Sequence, residues 1–464
     1  MMNRNIVVVA GLIMAAFFIN IVYMTYLQVF RSDELLNHPR NRRLQILEEK
    51  ILRGKISDSR DRVLAETIIS GESGKRVYPY GEITGNVTGY LSRKLGRWGL
   101  EAVYNQELLG LDSGLAGDGS WALNMLDTGK PGNDIVLSLD AELQKTAYDM
   151  LGNRKGAVVA LEPGTGRILV MVSKPGFDPG QIESQWESLR THPDSPLLNR
   201  AAQGLYPPGS TMKVVTAAGI LAEQPDTVSR TFEAPGYIEV EGRRIEDRQA
   251  KGKLSLAEAM ARSSNYVFAS LGMELGAAKF VAAAHSFGIG KELPLETTAA
   301  QSRIPEPGEM SELELAETAI GQGRLLVTPL NMAVVAAAVA NGGKVMKPSL
   351  VDEVRGPGGG VIRSFKAEQI LTPVSAETAG IIRELMVAAV ANGTGRAASI
   401  PGVQVAGKTG SAENPHGSAH AWFIGFAPAE NSEVAVAVIV ENGGAGGTEA
   451  APIAREIMKK VIRQ

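Results

Sequence analysis

Three short motifs supply serine, lysine and asparagine side chains that could carry out acyl transfer without a histidine. In chain order they are Ser210-Thr211-Met212-Lys213, Ser263-Ser264-Asn265 and Lys408-Thr409-Gly410. A serine hydroxyl is a poor nucleophile until a base takes its proton. A lysine can be that base when burial and nearby cations lower its pKa toward neutrality. The motifs therefore predict a serine nucleophile, Ser210, that Lys213 activates.

The residues around Ser210 favour this interpretation. Pro207-Pro208-Gly209 should end the preceding element, so we expect Ser210 in the first turn of an apolar helix, where free backbone N–H groups and the helix dipole stabilise negative charge. Lys213 lies three residues later, on the same face of that helix. Taken alone, the tetrapeptide is better explained as a helix cap with a solvated lysine.

The second and third motifs strengthen the catalytic interpretation. We expect the Ser263 hydroxyl to relay a proton and the Asn265 amide to hold Lys213 and the substrate. Lys408 is the cation that would lower the pKa of Lys213, and it ends an apolar strand whose edge could pair with an extended peptide. Each motif alone is also typical of a loop, a cap or a strand-end turn. Together, in this order, they predict one catalytic cleft.

The composition limits the classes of function. The chain has 464 residues, of which 44% are hydrophobic, so roughly two or three domains with a sizeable core are expected. Its net charge of −3 gives no overall basic field that would favour nucleic acid. The absence of cysteine excludes disulfides and thiolate catalysis, and the histidines lack the H-E-x-x-H spacing of a zinc hydrolase.

An apolar segment near the N-terminus predicts a membrane anchor. Residues 6–30 are almost wholly apolar, and about 20 residues suffice to cross a bilayer as a helix. A cleaved signal peptide is the alternative, but its apolar region would usually be shorter and no convincing cleavage site follows. Because basic residues flank both ends, the positive-inside rule gives no clear orientation.

The remaining pattern predicts an α+β protein. Residues 31–150 should be irregular and strand-rich, with a helix over Ala141–Leu151, and alanine-rich helices should dominate from 210 to about 345. The strands predicted for the larger domain are Ala157–Leu161, Ile168–Val172, Val403–Thr409, Ala421–Ala427 and Val434–Glu441, followed by a helix over Ala451–Ile462. Strands at both ends of this region suggest one antiparallel sheet flanked by helices.

Together the motifs resemble those of the class B penicillin-binding proteins, the monofunctional peptidoglycan D,D-transpeptidases. Further segments that match the family pattern are Arg53-Gly54-Lys55-Ile56-Ser57-Asp58, Gly99-Leu100-Glu101, Asn199-Arg200-Ala201, Gly321-Gln322-Gly323 and His420-Ala421-Trp422-Phe423. The resemblance covers nearly the whole chain. It implies a tail and transmembrane anchor over 1–30, an elongated pedestal or dimerisation-like domain over 31–150, and a transpeptidase domain over 151–464.

The resemblance also implies a role for each candidate site residue. Ser210 would be the acylated nucleophile and Lys213 its base, while Ser263 and Asn265 would line the second wall. The strand residues that would bind the terminal carboxylate of the donor peptide are Lys408, Thr409, Gly410 and Ser411. The backbone N–H groups of Ser210 and Ser411 would form the oxyanion hole.

The implied activity is cross-linking of peptidoglycan stem peptides through a Ser210 acyl-enzyme, with inhibition by β-lactams. No metal or cofactor is expected, because the D-Ala–D-Ala bond supplies the leaving group. The family further implies a single-pass protein of the bacterial cell membrane, with its catalytic domain outside the cytoplasm. A SEDS-type glycosyltransferase would be its membrane partner, and Gly11, Ala15 and Ala16 are small residues that would allow close helix contact.

Three other functions compete with transpeptidation. A β-lactamase needs a base that activates water for deacylation, and no E-x-x-L-N pattern lies between Asn265 and Lys408. A D,D-carboxypeptidase would use the same site with water as acceptor, and only the family resemblance separates the two. A non-catalytic, membrane-anchored activator is the third alternative, and the complete set of catalytic elements argues against it.

Overall fold

The computed structural model describes residues 4–31, 52–70, 73–110, 131–247, 249–415 and 417–463. The strands of the described residues are β1 Ile56–Ser57, β2 Val63–Ser70, β3 Ser73–Val77, β4 Tyr90–Ser92, β5 Gly96–Trp98, β6 Asp134–Leu137, β7 Gly156–Leu161, β8 Ile168–Lys174, β9 Thr231–Ala234, β10 Tyr237–Val240, β11 Arg243–Glu246, β12 Gly252–Ser255, β13 Val345–Met346, β14 Val351–Arg355, β15 Val361–Ser364, β16 Gln369–Leu371, β17 Ala406–Ala412, β18 His420–Ala427 and β19 Val434–Val440. The helices are Arg4–Phe30, Gly85–Thr88, Leu100–Val103, Asn105–Leu108, Ala141–Leu151, Ile182–Thr191, Arg200–Gln203, Lys213–Glu223, Leu256–Ala261, Asn265–Leu275, Ala277–Ser286, Glu312–Ala319, Pro329–Ala340, Ala376–Ala391, Gly446–Glu449 and Ala451–Ile462.

Five strands from the two ends of the larger region form one antiparallel sheet, in the order β17-β18-β19-β7-β8. The predicted sheet, completed by both ends of an α+β domain, is thus confirmed. The bounds of one strand differ from the prediction, because β17 runs over Ala406–Ala412 rather than Val403–Thr409. The predicted strand ended at Thr409, but pairing with β18 continues to Ala412 and carries β17 three residues further, so the third motif lies inside the strand.

Helices pack against both faces of the sheet. Successive side chains of a strand point to opposite faces, so Trp422 and Ile424 join one hydrophobic cluster while Phe423 joins the other. The first cluster includes the helix Pro329–Ala340, which is apolar except for Asn331 and almost wholly buried. The second includes Ala451–Ile462. The sheet is therefore rigidly held between helices.

The helix Ala141–Leu151 forms as predicted, and Asp140 caps it by accepting the N–H groups of Glu142 and Leu143. Its apolar face, which includes Leu143, joins the cluster behind the five-stranded sheet. The helix therefore crosses the predicted boundary at residue 150 and packs with the larger region.

A second sheet has the order β15-β14-β6-β1-β2-β3. In it β1 and β6 run parallel, while the other pairs are antiparallel. Strands β14 and β15 come from the larger region of the chain, yet they extend the N-terminal sheet. The two regions therefore share one hydrogen-bonded sheet, a pairing that the sequence did not predict.

The N-terminal apolar segment forms one helix over Arg4–Phe30. This 27-residue helix has a mean hydropathy of 2.6 in its most apolar window, and none of its residues is buried. Its length and composition make it a candidate membrane span.

A buried ion-pair network stabilises the N-terminal region. The Glu101 carboxylate, which is 0% exposed, accepts hydrogen bonds from Arg53 Nε and Arg76 Nε, both at 2.7 Å. Burial alone would raise the pKa of Glu101, but the charges and hydrogen bonds of Arg76 and Arg53 outweigh it and hold that pKa below its usual value. Glu101 therefore remains charged between two buried guanidinium groups.

Replacing the Glu101 carboxylate should destabilise the N-terminal region. Glu101→Gln should lower the free energy of unfolding by roughly 3–5 kcal/mol, because two buried cations lose their counter-charge. Urea unfolding of the detergent-solubilised chain, followed by tryptophan fluorescence, measures the change. Lys253→Gln is the control, since it breaks only an exposed pair with Glu233 and should cost less than about 1 kcal/mol. Equal, small losses for both variants would contradict the role given to Glu101.

Candidate active site

The candidate nucleophile lies in a tight turn at the start of a helix. Gly209–Met212 forms one 3-10 turn, and the α-helix then runs over Lys213–Glu223. Ser210 therefore precedes the α-helix, whereas the sequence placed it in the first helical turn. The Thr211 hydroxyl donates to the Pro208 carbonyl at 2.8 Å. This bond helps to keep the turn in the tighter geometry.

Two neighbouring segments hold the turn in place. On one side, the Gly209 N–H donates to the Gly321 carbonyl at 2.8 Å, and a Cβ at Gly321 would lie 1.9 Å from the Gly209 oxygen. Gly321 also has φ +82°, so only glycine fits there. On the other side, Trp422 Nε1 donates to the Pro207 carbonyl at 3.0 Å. The nucleophile turn is thus fixed before any substrate arrives.

The third motif lies against this turn. A Cβ at Gly410 would come within 2.9 Å of the Pro208 carbonyl, so the strand and the turn are in close backbone contact. Lys408 is buried, Thr409 is 6% exposed and Ser411 is exposed. Because β17 is the edge strand of its sheet, one of its sides can pair with an extended chain.

Lys213 is wholly buried, and its amine contacts the second motif. Nζ donates to the Ser263 carbonyl at 2.6 Å and to Asn265 Oδ1 at 2.7 Å, and it lies 3.2 Å from Ser263 Oγ. A neutral amine has two N–H groups and one lone pair. The carbonyl and the amide take the two N–H groups, which leaves the lone pair to accept a proton.

Ser263 joins the two lysines. Lys408 Nζ donates to Ser263 Oγ and to the Thr409 carbonyl, both at 3.0 Å. Ser263 has φ +60°, a left-handed conformation that is unusual for a residue with a Cβ. Glycine would relieve that strain, but only a hydroxyl can contact both amines, which is a physical reason for serine at this position.

The environment lowers the pKa of both lysines. Burial lowers the pKa of Lys408 to about 7. Burial, together with the charge of Lys408, lowers the pKa of Lys213 well below its usual value, and the Asp247 carboxylate opposes this shift. The pair therefore holds one proton over an intermediate pH range, on Lys408, while Lys213 stays neutral and can act as a base.

The sequence missed Asp247. Its carboxylate, 4% exposed, accepts the Ser264 hydroxyl at 2.6 Å and the Tyr266 N–H at 2.9 Å. The Asn265 side-chain amide donates to the neighbouring Glu246 carbonyl at 2.9 Å. These bonds hold the second motif in position. No local pattern marks Asp247, because it follows a charged strand that resembles a solvated surface.

The sequence also gave no role to a hydrogen-bond network formed by residues that precede Ser210 in the chain. The Tyr206 hydroxyl donates to Glu441 Oε1 at 2.7 Å, and Arg200 Nε donates to the same oxygen at 2.8 Å. The Tyr206 ring packs edge-on against Trp422 and His420. The segment that leads to Ser210 is therefore tied to the end of β19, a contact that only the fold creates.

All the candidate site residues thus lie around one region. Direct hydrogen bonds join Lys213, Ser263, Asn265 and Lys408. Ser210 lies on the turn that leads to Lys213, and that turn packs against the strand that carries Thr409, Gly410 and Ser411. Chemically, this arrangement offers a hydroxyl nucleophile, a neutral buried amine and a cation that can attract a carboxylate.

Comparison with known proteins gives consistent matches. A family model described as the penicillin binding protein transpeptidase domain matches residues 156–459, and one described as the penicillin binding protein A dimerisation domain matches residues 53–134. Peptidoglycan D,D-transpeptidase PbpA of Mycolicibacterium smegmatis is 36% identical over 497 aligned residues, which cover 100% of both chains. Peptidoglycan D,D-transpeptidase MrdA of Acinetobacter baumannii is 32% identical over 81% of this chain and 64% of that protein.

Solved structures are also similar. Penicillin-binding protein A from M. tuberculosis, in its ceftriaxone acyl-enzyme complex, has a TM-score of 0.83 and 35% identity over 90% of this chain and 100% of that chain. The D,D-transpeptidase domain of a peptidoglycan glycosyltransferase from Eggerthella lenta has a TM-score of 0.81 and 36% identity over 89% of this chain and 99% of that chain. The similarity extends over most of this chain.

The lysine pair predicts a bell-shaped pH dependence for acylation by penicillin G. Lys213 must be neutral to accept a proton, so the second-order rate constant should rise with pH through its lowered pKa. Lys408 must be charged to attract a carboxylate, so the rate constant should fall as the pH passes about 7. A rate constant that keeps rising to a pH of about 10, as an unperturbed lysine would give, would contradict this account.

A variant of Asp247 tests which group causes the rise of the rate constant at low pH, here called the acid limb of the pH profile. Because the Asp247 charge raises the pKa of Lys213, Asp247→Asn should lower that pKa further and move the acid limb to lower pH. Glu246→Gln removes a more exposed charge nearby and should leave the limb in place. An acid limb that stays fixed in Asp247→Asn would show that another group titrates.

Proposed function

The chain belongs to the penicillin-binding protein transpeptidase family and is a peptidoglycan D,D-transpeptidase, and we propose that it works through an acyl-enzyme on Ser210. The observation that carries the proposal is the hydrogen-bonded set of Lys213, Ser263 and Lys408 beside the nucleophile turn. The relatives of known structure include acyl-enzymes with ceftriaxone, imipenem and penicillin G, which agrees with a serine ester intermediate and with inhibition by β-lactams.

Acylation begins at the carbonyl carbon of the penultimate D-alanine. Ser210 Oγ attacks this carbon, and its proton passes to the neutral amine of Lys213. The oxyanion that forms accepts hydrogen bonds from the backbone N–H groups of Ser210 and Ser411, each contributing on the order of 3 kcal/mol. When the C–N bond breaks, Ser263 relays a proton to the amine of the departing D-alanine, and Lys213 restores that proton.

Deacylation repeats the chemistry with a new nucleophile. The amine of a second stem peptide attacks the ester carbon, its proton goes to Lys213, and Ser210 Oγ leaves and recovers a proton. In a β-lactam, the leaving nitrogen stays tethered to the acyl group, so the acyl-enzyme persists. Water in place of the amine would give D,D-carboxypeptidation, the runner-up activity of the same site.

The strand β17 would bind the donor peptide. In the proposal, its edge pairs with the extended peptide, while Lys408, Thr409 and Ser411 hold the terminal carboxylate and Gly410 allows close backbone approach. The positive charge on Lys408, which burial makes costly, would be stabilised by this carboxylate. Substrate binding would therefore favour the protonation state that catalysis needs.

Two substitutions test the roles of Ser210 and Lys213. Ser210→Ala should abolish covalent labelling by a fluorescent penicillin without unfolding the protein, because only the hydroxyl is lost. Lys213→Ala should slow acylation by a factor of roughly 10²–10⁴, which is the usual contribution of a general base. Labelling that persists in Ser210→Ala, or a loss of less than about tenfold in Lys213→Ala, would refute the assignment.

We propose the three-part division that the sequence predicted, with an anchor over 1–30, a pedestal over 31–150 and a transpeptidase domain over 151–464, but with the last boundary moved ahead of the helix Ala141–Leu151, which packs with the larger domain. The family models match segments within the last two ranges. The apolar helix Arg4–Phe30 is a candidate single-pass anchor. We propose that the catalytic domain lies outside the cytoplasm, on the side of the membrane where peptidoglycan is cross-linked. Labelling of intact cells by a membrane-impermeant penicillin, rather than only after lysis, would support that orientation.

We further propose that the anchor helix contacts a SEDS-type glycosyltransferase. Gly11 and Ala15 are one helical turn apart on Arg4–Phe30, with Ala16 beside them, and small residues let membrane helices approach closely. Across the helix, Phe17 and Ile21 carry large side chains that would face lipid.

Leucine substitutions test this contact. Replacing Gly11, Ala15 and Ala16 together by leucine should greatly reduce co-purification of the glycosyltransferase from membranes, because the helices can no longer approach closely. Phe17→Leu with Ile21→Leu, on the opposite side of the helix, is the matched control and should leave co-purification unchanged. Undiminished co-purification in the triple variant would count against the contact.

A further inference from the structure

A threonine outside the three motifs contacts the strand that carries the third. Thr394 lies between the helix Ala376–Ala391 and a 3-10 turn at Arg396–Ala398. Its Oγ1 is 2.6 Å from Oγ1 of Thr409. At this distance the two hydroxyls share one hydrogen bond, in which either can be the donor. The identity of the donor determines whether Thr409 presents a proton or a lone pair to the cleft.

The backbone around Thr394 is attached to the second wall of the site. The Thr394 N–H donates to the Ala261 carbonyl at 3.1 Å, and Ala261 is two residues before Ser263. A Cβ at Gly393 would lie 2.2 Å from the same carbonyl oxygen, so the segment approaches closely. Thr394 therefore reaches from the wall that holds Ser263 to the strand that holds Thr409.

A hydroxyl group has one proton to donate. If Thr409 gives its proton to Thr394, it turns a lone pair toward the cleft and repels a carboxylate. If Thr394 gives its proton to Thr409, the Thr409 proton is free for a carboxylate oxygen. Thr409 is only 6% exposed, so water has little access to compete for the hydrogen bonds of its hydroxyl.

We propose that Thr394 is a positioning residue that donates its hydroxyl proton to Thr409 and so makes Thr409 a donor to the terminal carboxylate of the ligand. The resulting chain runs from Thr394 through Thr409 to the carboxylate, and hydrogen bonds in such chains strengthen one another. The inference rests on the proposed function, in which Thr409 binds the carboxylate. Thr394 thereby selects ligands that carry a free carboxylate.

The test compares ligands with and without that carboxylate. Full-length wild type, Thr394→Val and Thr394→Ser are each acylated with penicillin G and with its methyl ester, and second-order rate constants are measured. Thr394→Val keeps the shape but removes the hydroxyl, so Thr409 loses the donor that orients its own proton toward the carboxylate. The substitution should therefore slow penicillin G roughly tenfold and the ester less than about twofold, since a hydrogen bond to a charged group is the stronger one to weaken. Thr394→Ser keeps the hydroxyl and should preserve the wild-type ratio of the two rate constants.

Each other outcome overturns the inference. Equal slowing with both ligands would mean that Thr394 only supports β17, and unchanged rate constants would mean that its hydroxyl is not used. Should Thr394→Val fail to fold in a thermal unfolding assay, Thr394→Ala decides by the same ratio. A wild-type chain that penicillin G does not acylate at Ser210 would refute the proposed function itself, so the two failures are distinguishable.

Discussion

Two buried lysines that meet at one hydroxyl group constrain the whole site. Lys213 and Lys408 are both 0% exposed, and their amines lie 3.2 and 3.0 Å from Ser263 Oγ. Two cations this close in a dry environment repel strongly, so one amine must give up its proton. The loss makes Lys213 a base without any histidine. The remaining charge on Lys408 is then available for the carboxylate of the substrate.

The fold keeps this unfavourable arrangement together. The two lysines come from a helix and a strand, and the hydroxyl between them comes from a strained residue ahead of the helix Asn265–Leu275. Asp247 fixes that segment from behind, and the Gly321 carbonyl with Trp422 fixes the nucleophile turn. A site held by packed elements loses little entropy when it binds its ligand, which is the condition for precise catalysis.

Much of this could be predicted from local sequence. Uninterrupted apolar runs indicated β7, β8, β18 and β19, and the order of the motifs indicated one cleft. The features that the sequence did not predict depend on residues that are far apart along the chain. The N-terminal sheet takes β14 and β15 from far along the chain, β17 extends because β18 pairs with it, and Asp247 and Thr394 act through contacts that leave no local pattern. Helix signals likewise cannot distinguish a 3-10 turn at Ser210 from an α-helical one.

The shared proton can be observed directly. An NMR titration of protein labelled with ¹³C at the lysine Cε positions, with the two signals assigned through Lys213→Met and Lys408→Met, reports the protonation of each amine. We expect the Lys213 signal to titrate well below the ordinary lysine range, because burial and the charge of Lys408 lower its pKa, and the Lys408 signal to titrate near a pKa of about 7. Two signals that both titrate near the ordinary lysine pKa of about 10.4 would contradict the account.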